Sequence, residues 1–122
     1  MEYLLIGLGG ILGANARYLV TDWAMRQLGT GFPYGTFLIN LSGSVVIGIF
    51  MALMARYPSH HHLRLFFAVG FLGAYTTFST FSFESLQLLQ QGRLLHAMCY
   101  TVGSAALGII GAWLGFLLGR AL

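Results

Sequence analysis

Four long apolar segments occupy almost the whole chain, and they restrict its possible folds more than any other feature. Each is long enough to cross a bilayer, because about 20 apolar residues in a helix span a hydrocarbon core about 30 Å thick. The sequence therefore predicts an all-α membrane protein in which residues 1–122 form a single domain of four transmembrane helices. The predicted spans are Tyr3–Met25, Gly35–Ala55, Leu63–Leu89 and Leu95–Leu118.

The composition identifies the solvent of this domain. Only 7% of the residues are charged and 57% are hydrophobic, whereas soluble domains carry about 25% charged residues. The outer surface must therefore contact membrane lipid, and we expect a multi-pass protein of the cell (inner) membrane. The formal charge of +3 comes without a lysine, a basic run or an aromatic-basic motif, so that no nucleic-acid partner is expected.

Arginines in the short connections bear on orientation. Arg26 and Arg93 follow the first and third spans, while Arg56, Arg64 and Arg120 lie toward the opposite ends of the helices. Because arginine bias in short loops sets topology, this near-balance predicts a weak preference for either orientation, so that subunits of opposite orientation can pair. The alternative is that the balance is a chance result in so short a protein.

Small residues recur at four-residue spacing in the spans. This spacing lets helix backbones approach closely in lipid and predicts a tight, oligomeric bundle. The residues are Gly9 and Gly13, Ser44 and Gly48, and Gly111, Gly115 and Gly119.

Polar residues within the spans mark candidate functional positions, because hydrocarbon offers them no partner. Two spans carry such residues on one helical face, four positions apart. Hydroxyl and amide groups there either bond neighbouring helices or form an uncharged path for an anion. The stripes are Thr36, Asn40 and Ser44 on span two, and Tyr100, Ser104 and Gly108 on span four.

The third span is a poor helix in its middle. Its segment Gly70–Glu84 contains two glycines and five serine or threonine residues, which weaken a helix. We expect an unwound stretch near Gly73–Thr77 whose free carbonyls bind a cation; the alternative is a continuous helix with glycines as packing notches. Phe78 and Phe81 share a face at i, i+3, where their positive ring edges suit a small anion unless they serve packing alone.

The segment Gly70–Glu84 also resembles the third-helix signature of the Fluc fluoride channels, also called the CrcB family. Residues 13–18 (Gly-Ala-Asn-Ala-Arg-Tyr), residues 35–40 (Gly-Thr-Phe-Leu-Ile-Asn) and the pair Tyr100 and Ser104 resemble that family in order and spacing. The resemblance covers essentially the whole chain. It differs at Ala74, where the family often has a second glycine in the helix break.

The resemblance implies a fold and a function. The fold is an antiparallel, dual-topology homodimer with two fluoride pores lined by both subunits, and with a structural sodium ion (Na+) on the two-fold axis. The function is passive export: fluoride that entered as hydrofluoric acid leaves as the ion and the cell resists fluoride. No covalent chemistry is involved, so the chain is not expected to be an enzyme.

The resemblance also assigns roles to residues by motif position. Fluoride meets the ring edges of Phe78 and Phe81, with Asn40 beside the path. Ser79, Thr80, Tyr100 and Ser104 extend the polar track, and Glu84 lies near one end of the pore. Arg17 is placed near a vestibule. The backbone carbonyls of Gly73 and Thr76 bind the sodium ion.

Three other classes of protein compete with this interpretation. A small multidrug-resistance-like cation/proton antiporter needs a titratable carboxylate in its first span, where this chain has Arg17 and, near the end, Asp22. A structural subunit or lysis protein needs no ordered polar track. An enzyme needs a nucleophile and base at recognisable spacing, but the histidines cluster near loops as His96 and the run His60–His62, which is typical of a solvated turn.

Overall fold

The computed structural model describes residues 1–122 and contains only helices and their connections. Four helical spans are long and apolar enough to cross a membrane, as predicted. The third of them, residues 61–90, consists of two helices in sequence. The helices are α1 (Glu2–Leu28), α2 (Tyr34–Arg56), α3 (residues 61–75), α4 (Phe78–Gln90) and α5 (Leu94–Ala121).

The helix α3 is mostly not an ordinary α-helix. Its central stretch Arg64–Leu72 is π-helical, between short α-helical turns at His61–Leu63 and Gly73–Tyr75. This geometry was not predicted from the sequence. A π-helix is wider than an α-helix because its hydrogen bonds join residues five apart, and it is found frequently at functional sites.

The helices pack as two close pairs, α2 against α5 and α1 against α3. The predicted close approach through small residues is confirmed in both pairs. A side chain at Gly115 would collide with the backbone of Val45 on α2, and one at Gly9 would collide with the backbone of Phe66 on α3. Glycine at these positions therefore sets how closely the helices pack.

Large apolar side chains cover the outside of the bundle. Ile109 on α5 is 73% exposed, and Leu19 on α1 and Trp113 on α5 are also largely exposed. A surface of this kind is stable in contact with lipid tails and not with water. The chain is thus a multi-pass membrane protein.

Candidate functional site

The third span is interrupted between α3 and α4. Helix α3 ends at Tyr75, and Thr76 (φ −80°, ψ 156°) and Thr77 (φ −148°, ψ 123°) have extended backbone. Unwinding was predicted near Gly73–Thr77, whereas residues 73–75 are helical. The Thr77 side chain accepts a hydrogen bond from the Thr80 amide at 3.3 Å, which caps the N-terminus of α4. The cap fixes the extended residues immediately before Phe78.

Two polar side chains from other helices bind backbone groups at this interruption. The Asn40 amide on α2 donates to the Thr77 carbonyl at 3.1 Å, and its Oδ1 accepts from the Thr77 amide at 2.9 Å. Arg17 on α1 donates from Nε to the Ala74 carbonyl at 3.1 Å. These bonds replace helical ones, and they satisfy polar groups for which hydrocarbon has no partner.

Two other backbone carbonyl groups at the interruption are not bound by Asn40 or Arg17. The Thr76 carbonyl receives no hydrogen bond. The Gly73 carbonyl lacks its usual α-helical donor, because the Thr77 amide binds Asn40 instead. Both residues line a cavity of about 380 Å³, which Asn40 and Phe78 also line. The interruption therefore presents unpaired carbonyl oxygens beside an open cavity.

The predicted phenylalanine pair lies at the start of α4. The ring centroids of Phe78 and Phe81 are 5.9 Å apart and the planes are inclined by 47°. Phe78 is 79% exposed, whereas Phe81 packs inward against Tyr100 with centroids 5.1 Å apart. The pair thus joins the outer surface of the bundle to the fully buried Tyr100.

A line of polar groups continues from Tyr100 along α5. The Tyr100 hydroxyl donates to Oε1 of Glu84 at 3.0 Å. One turn away, Oγ of Ser104 is buried and has no hydrogen-bond partner. The stripes of α2 and α5 face each other, since a Cβ on Gly108 would lie 3.5 Å from Oγ of Ser44. Helices α2 and α5 run in the same direction. The polar stripe of α2 (Thr36, Asn40 and Ser44) therefore lies alongside the polar groups of α5.

The remaining two residues of the predicted pore are placed differently. Ser79 is exposed, and Thr80 accepts a hydrogen bond from Oγ1 of Thr77 at 3.1 Å. No hydrogen bond joins Ser79 or Thr80 to Tyr100 or to Ser104. The structure thus brings together Phe81, Tyr100 and Glu84, and places Ser79 and Thr80 at the interruption.

The structural role of Thr77 was not predicted from the sequence. Its backbone binds Asn40 and its side chain caps α4. A threonine immediately before Phe78, the first of two phenylalanines at i, i+3 spacing, was an available helix-start signal. The pairing with Asn40 had no such signal, because it joins residues 37 apart in sequence.

The charged groups outside this region are mostly paired or exposed. Asp22 forms an ion pair with Arg26 at 2.5 Å, and the exposed His61 lies 3.8 Å from Glu2. The first span thus has Glu2 at its very start and a paired Asp22 near its end. Neither is the free central carboxylate that a cation/proton antiporter requires.

Comparison with known proteins identifies the family. Residues 4–116 match the family model described as "CrcB-like protein, Camphor Resistance (CrcB)". This chain belongs to the CrcB family. The family resemblance seen in the sequence is thereby confirmed.

Curated relatives of this CrcB protein match it along nearly its full length. One from Acidobacterium capsulatum is 47% identical over 98% of this chain and 97% of the relative. One from Thermus thermophilus is 46% identical over 99% and 95%, respectively. One from Rhodopseudomonas palustris is 46% identical over 100% and 99%. All three are named "Fluoride-specific ion channel FluC", and an ion channel is not a class of enzyme.

Proposed function

We propose that this protein is a fluoride-selective channel that exports fluoride passively across the cell membrane and so gives fluoride resistance. The observation that carries the proposal is the buried Oγ of Ser104, which has no hydrogen-bond partner. A buried polar group without a partner costs about 1–3 kcal/mol. A permeating anion supplies the missing acceptor, and the names of the curated relatives indicate that this anion is fluoride.

Selectivity follows from the groups along the proposed path. Fluoride is smaller than chloride and accepts stronger hydrogen bonds, so it gains more from the free hydroxyl of Ser104, beside which Tyr100 lines the path. The edges of the Phe78 and Phe81 rings carry partial positive charge and suit a small anion that has shed water. Uncharged donors hold the ion weakly enough to release it. Asn40, Ser79 and Thr80 extend this path toward the interruption, and Glu84 lies at its other end.

A second copy in the opposite orientation completes the proposed channel. The exposed ring of Phe78 and the cavity lined by Asn40 and Thr76 both lie within a membrane span. Polar groups there need cover from protein or water. A partner subunit supplies that cover and lines each pore together with this chain. The near-balance of the arginines supports insertion in both orientations.

Thiol labelling tests the two orientations. Ser59 is exposed in the connection between α2 and α3, and Cys99 is the only native cysteine. A Ser59→Cys variant in a Cys99→Ser background is expected to react about half with an impermeant reagent added outside cells, if both orientations insert equally. Complete labelling or complete protection would contradict dual topology.

A structural sodium ion fits the interruption of the third span. The residues suit it, since the Thr76 carbonyl is free and the Gly73 carbonyl has lost its usual donor. Unwound backbone carbonyls bind sodium in membrane transport proteins. Two copies related by a two-fold axis supply two such pairs of oxygens. The bound ion contributes positive charge that holds the two interruptions together.

Fluoride efflux from liposomes tests the proposed function. Purified protein is reconstituted, a potassium ionophore releases the counter-charge, and fluoride and chloride are measured in parallel. Rapid loss of fluoride without loss of chloride supports the proposal. Loss of both ions, or of neither, contradicts it. Uptake of a cationic dye driven by a proton gradient would instead identify an antiporter.

A further inference from the structure

A second cavity, of about 180 Å³, lies at one end of the bundle. It is lined by the end of α1, the connection between α1 and α2, the start of α2, and the region where α4 ends and α5 begins. Polar groups form much of its wall. They include Thr36, Glu84, Gln87, Gln91 and Arg93.

This cavity begins where the polar line of the proposed pore ends. Glu84 and Thr36 both line it, and Oε1 of Glu84 accepts the hydrogen bond from the buried Tyr100 hydroxyl. An ion leaving the Tyr100 end of the pore therefore enters this cavity. Gln87 and Gln91 follow Glu84 at i+3 and i+7, and Gln91 immediately follows the last residue of α4, so the three residues lie along one side of the end of this helix.

Arg93 is the only basic side chain that lines the cavity. It is half-buried, and no carboxylate lies within ion-pair distance of it, since the two ion pairs of the structure are Asp22 with Arg26 and Glu2 with His61. Its side chain also makes no hydrogen bond within the chain. A half-buried arginine whose guanidinium has no anionic partner is available to bind an anion.

We propose that Arg93, Gln87 and Gln91 form an outer fluoride-binding vestibule at this mouth of the pore. The inference rests on the proposed function, and none of these three residues was assigned to the pore above. The charge of Arg93 offsets the repulsion between Glu84 and an arriving anion. A cation in a narrow cleft raises the local anion concentration and the rate of entry. The two carboxamides donate hydrogen bonds without a charge that would trap the ion.

The test is fluoride flux through Arg93→Gln as a function of ionic strength, set with a large impermeant anion. At low salt and low fluoride we expect flux to fall about tenfold. At about 1 M salt, where the screening length is about 3 Å, the difference from the unmodified protein is expected to disappear. Arg93→Lys keeps the charge and is expected to retain most of the flux.

Arg120→Gln is the matched control. Arg120 is exposed at the end of α5 and does not line the cavity, so the same charge change there is expected to leave flux unaltered. Equal flux through Arg93→Gln and the unmodified protein at low salt would overturn the vestibule. So would a loss shared by Arg93→Lys and independent of salt, because that pattern indicates a structural role. An unmodified protein that passes no fluoride would overturn the proposed function and the vestibule together.

Discussion

The side-chain amide of Asn40 and the backbone of Thr77 form two hydrogen bonds with each other, one in each direction, at 3.1 and 2.9 Å. This pairing joins α2 to the point where the third span is interrupted. It occupies the Thr77 amide, which in a continuous α-helix would bind the Gly73 carbonyl. The position of Phe78, the next residue along the chain, depends on it.

Replacing Asn40 is expected to destabilise the fold. Asn40→Ala leaves an amide and a carbonyl of Thr77 without partners within the membrane, and each orphaned group costs about 1–3 kcal/mol of unfolding free energy. Thermal unfolding in detergent measures the effect. The control is Asn15→Ala, because the Asn15 amide binds only the Ile11 carbonyl of its own helix. Equal unfolding temperatures for the two variants would show that the pairing does not support the interruption.

Replacing Ser104 separates function from stability. Ser104→Ala removes a buried hydroxyl that has no partner in the chain, so stability is expected to stay the same or to rise by up to about 1 kcal/mol. Fluoride flux is expected to fall. Thr101→Val is the control, because the Thr101 hydroxyl already binds the Ala97 carbonyl of its own helix. A Ser104→Ala protein with unchanged flux would remove this hydroxyl from the proposed path.

Replacing the phenylalanine pair is expected to lower fluoride flux. The edges of both rings carry partial positive charge that stabilises an anion, and a loss of about 1.4 kcal/mol of that stabilisation corresponds to a factor of ten. The double variant Phe78→Ile/Phe81→Ile is therefore expected to lose at least about tenfold. Phe83→Ile, on the exposed part of the same helix, is the control. If the control loses as much as the double variant, the effect belongs to packing and not to ring edges.

Sodium is expected to stabilise the assembled protein. A ligand that binds only the folded state at about 100 times its dissociation constant adds about 2.7 kcal/mol. Unfolding in detergent is therefore compared in sodium and in a large organic cation at equal ionic strength. The Thr76 carbonyl is a backbone group, so Thr76→Val is expected to keep the sodium effect. The same unfolding temperature in both cations would contradict the proposed sodium site.

The close contact of α2 and α5 leads to a prediction about the free energy of unfolding that does not depend on transport. Gly115→Ala places a methyl group against the Val45 carbonyl and is expected to cost about 1–3 kcal/mol. Gly103 lies on the same helix, and a methyl group added there would meet no neighbouring atom within 4 Å. Gly103→Ala is therefore expected to be neutral or slightly stabilising. Similar stability of the two variants would show that the helices separate at little cost.

Much of the fold could be predicted from local sequence patterns. The four spans follow from the length of the apolar segments, and the close packing follows from the spacing of residues such as Gly9 and Gly115. The π-helical stretch Arg64–Leu72 has no comparable local signal in the sequence. In the candidate site, too, some features could be predicted from local sequence spacing and others could not. The stripes on α2 and α5 were visible as spacing, whereas the contacts of Asn40 and Arg17 with the third span join residues distant in sequence.

The central claim is that the protein conducts fluoride selectively and passively. The most direct test is the reversal potential in a planar bilayer with a tenfold fluoride gradient, an opposing chloride gradient and no proton gradient. A fluoride-selective channel is expected to reverse at about 59 mV, with the sign set by the fluoride gradient. A reversal potential that follows the chloride gradient, or a current that appears only with a proton gradient, would contradict the claim.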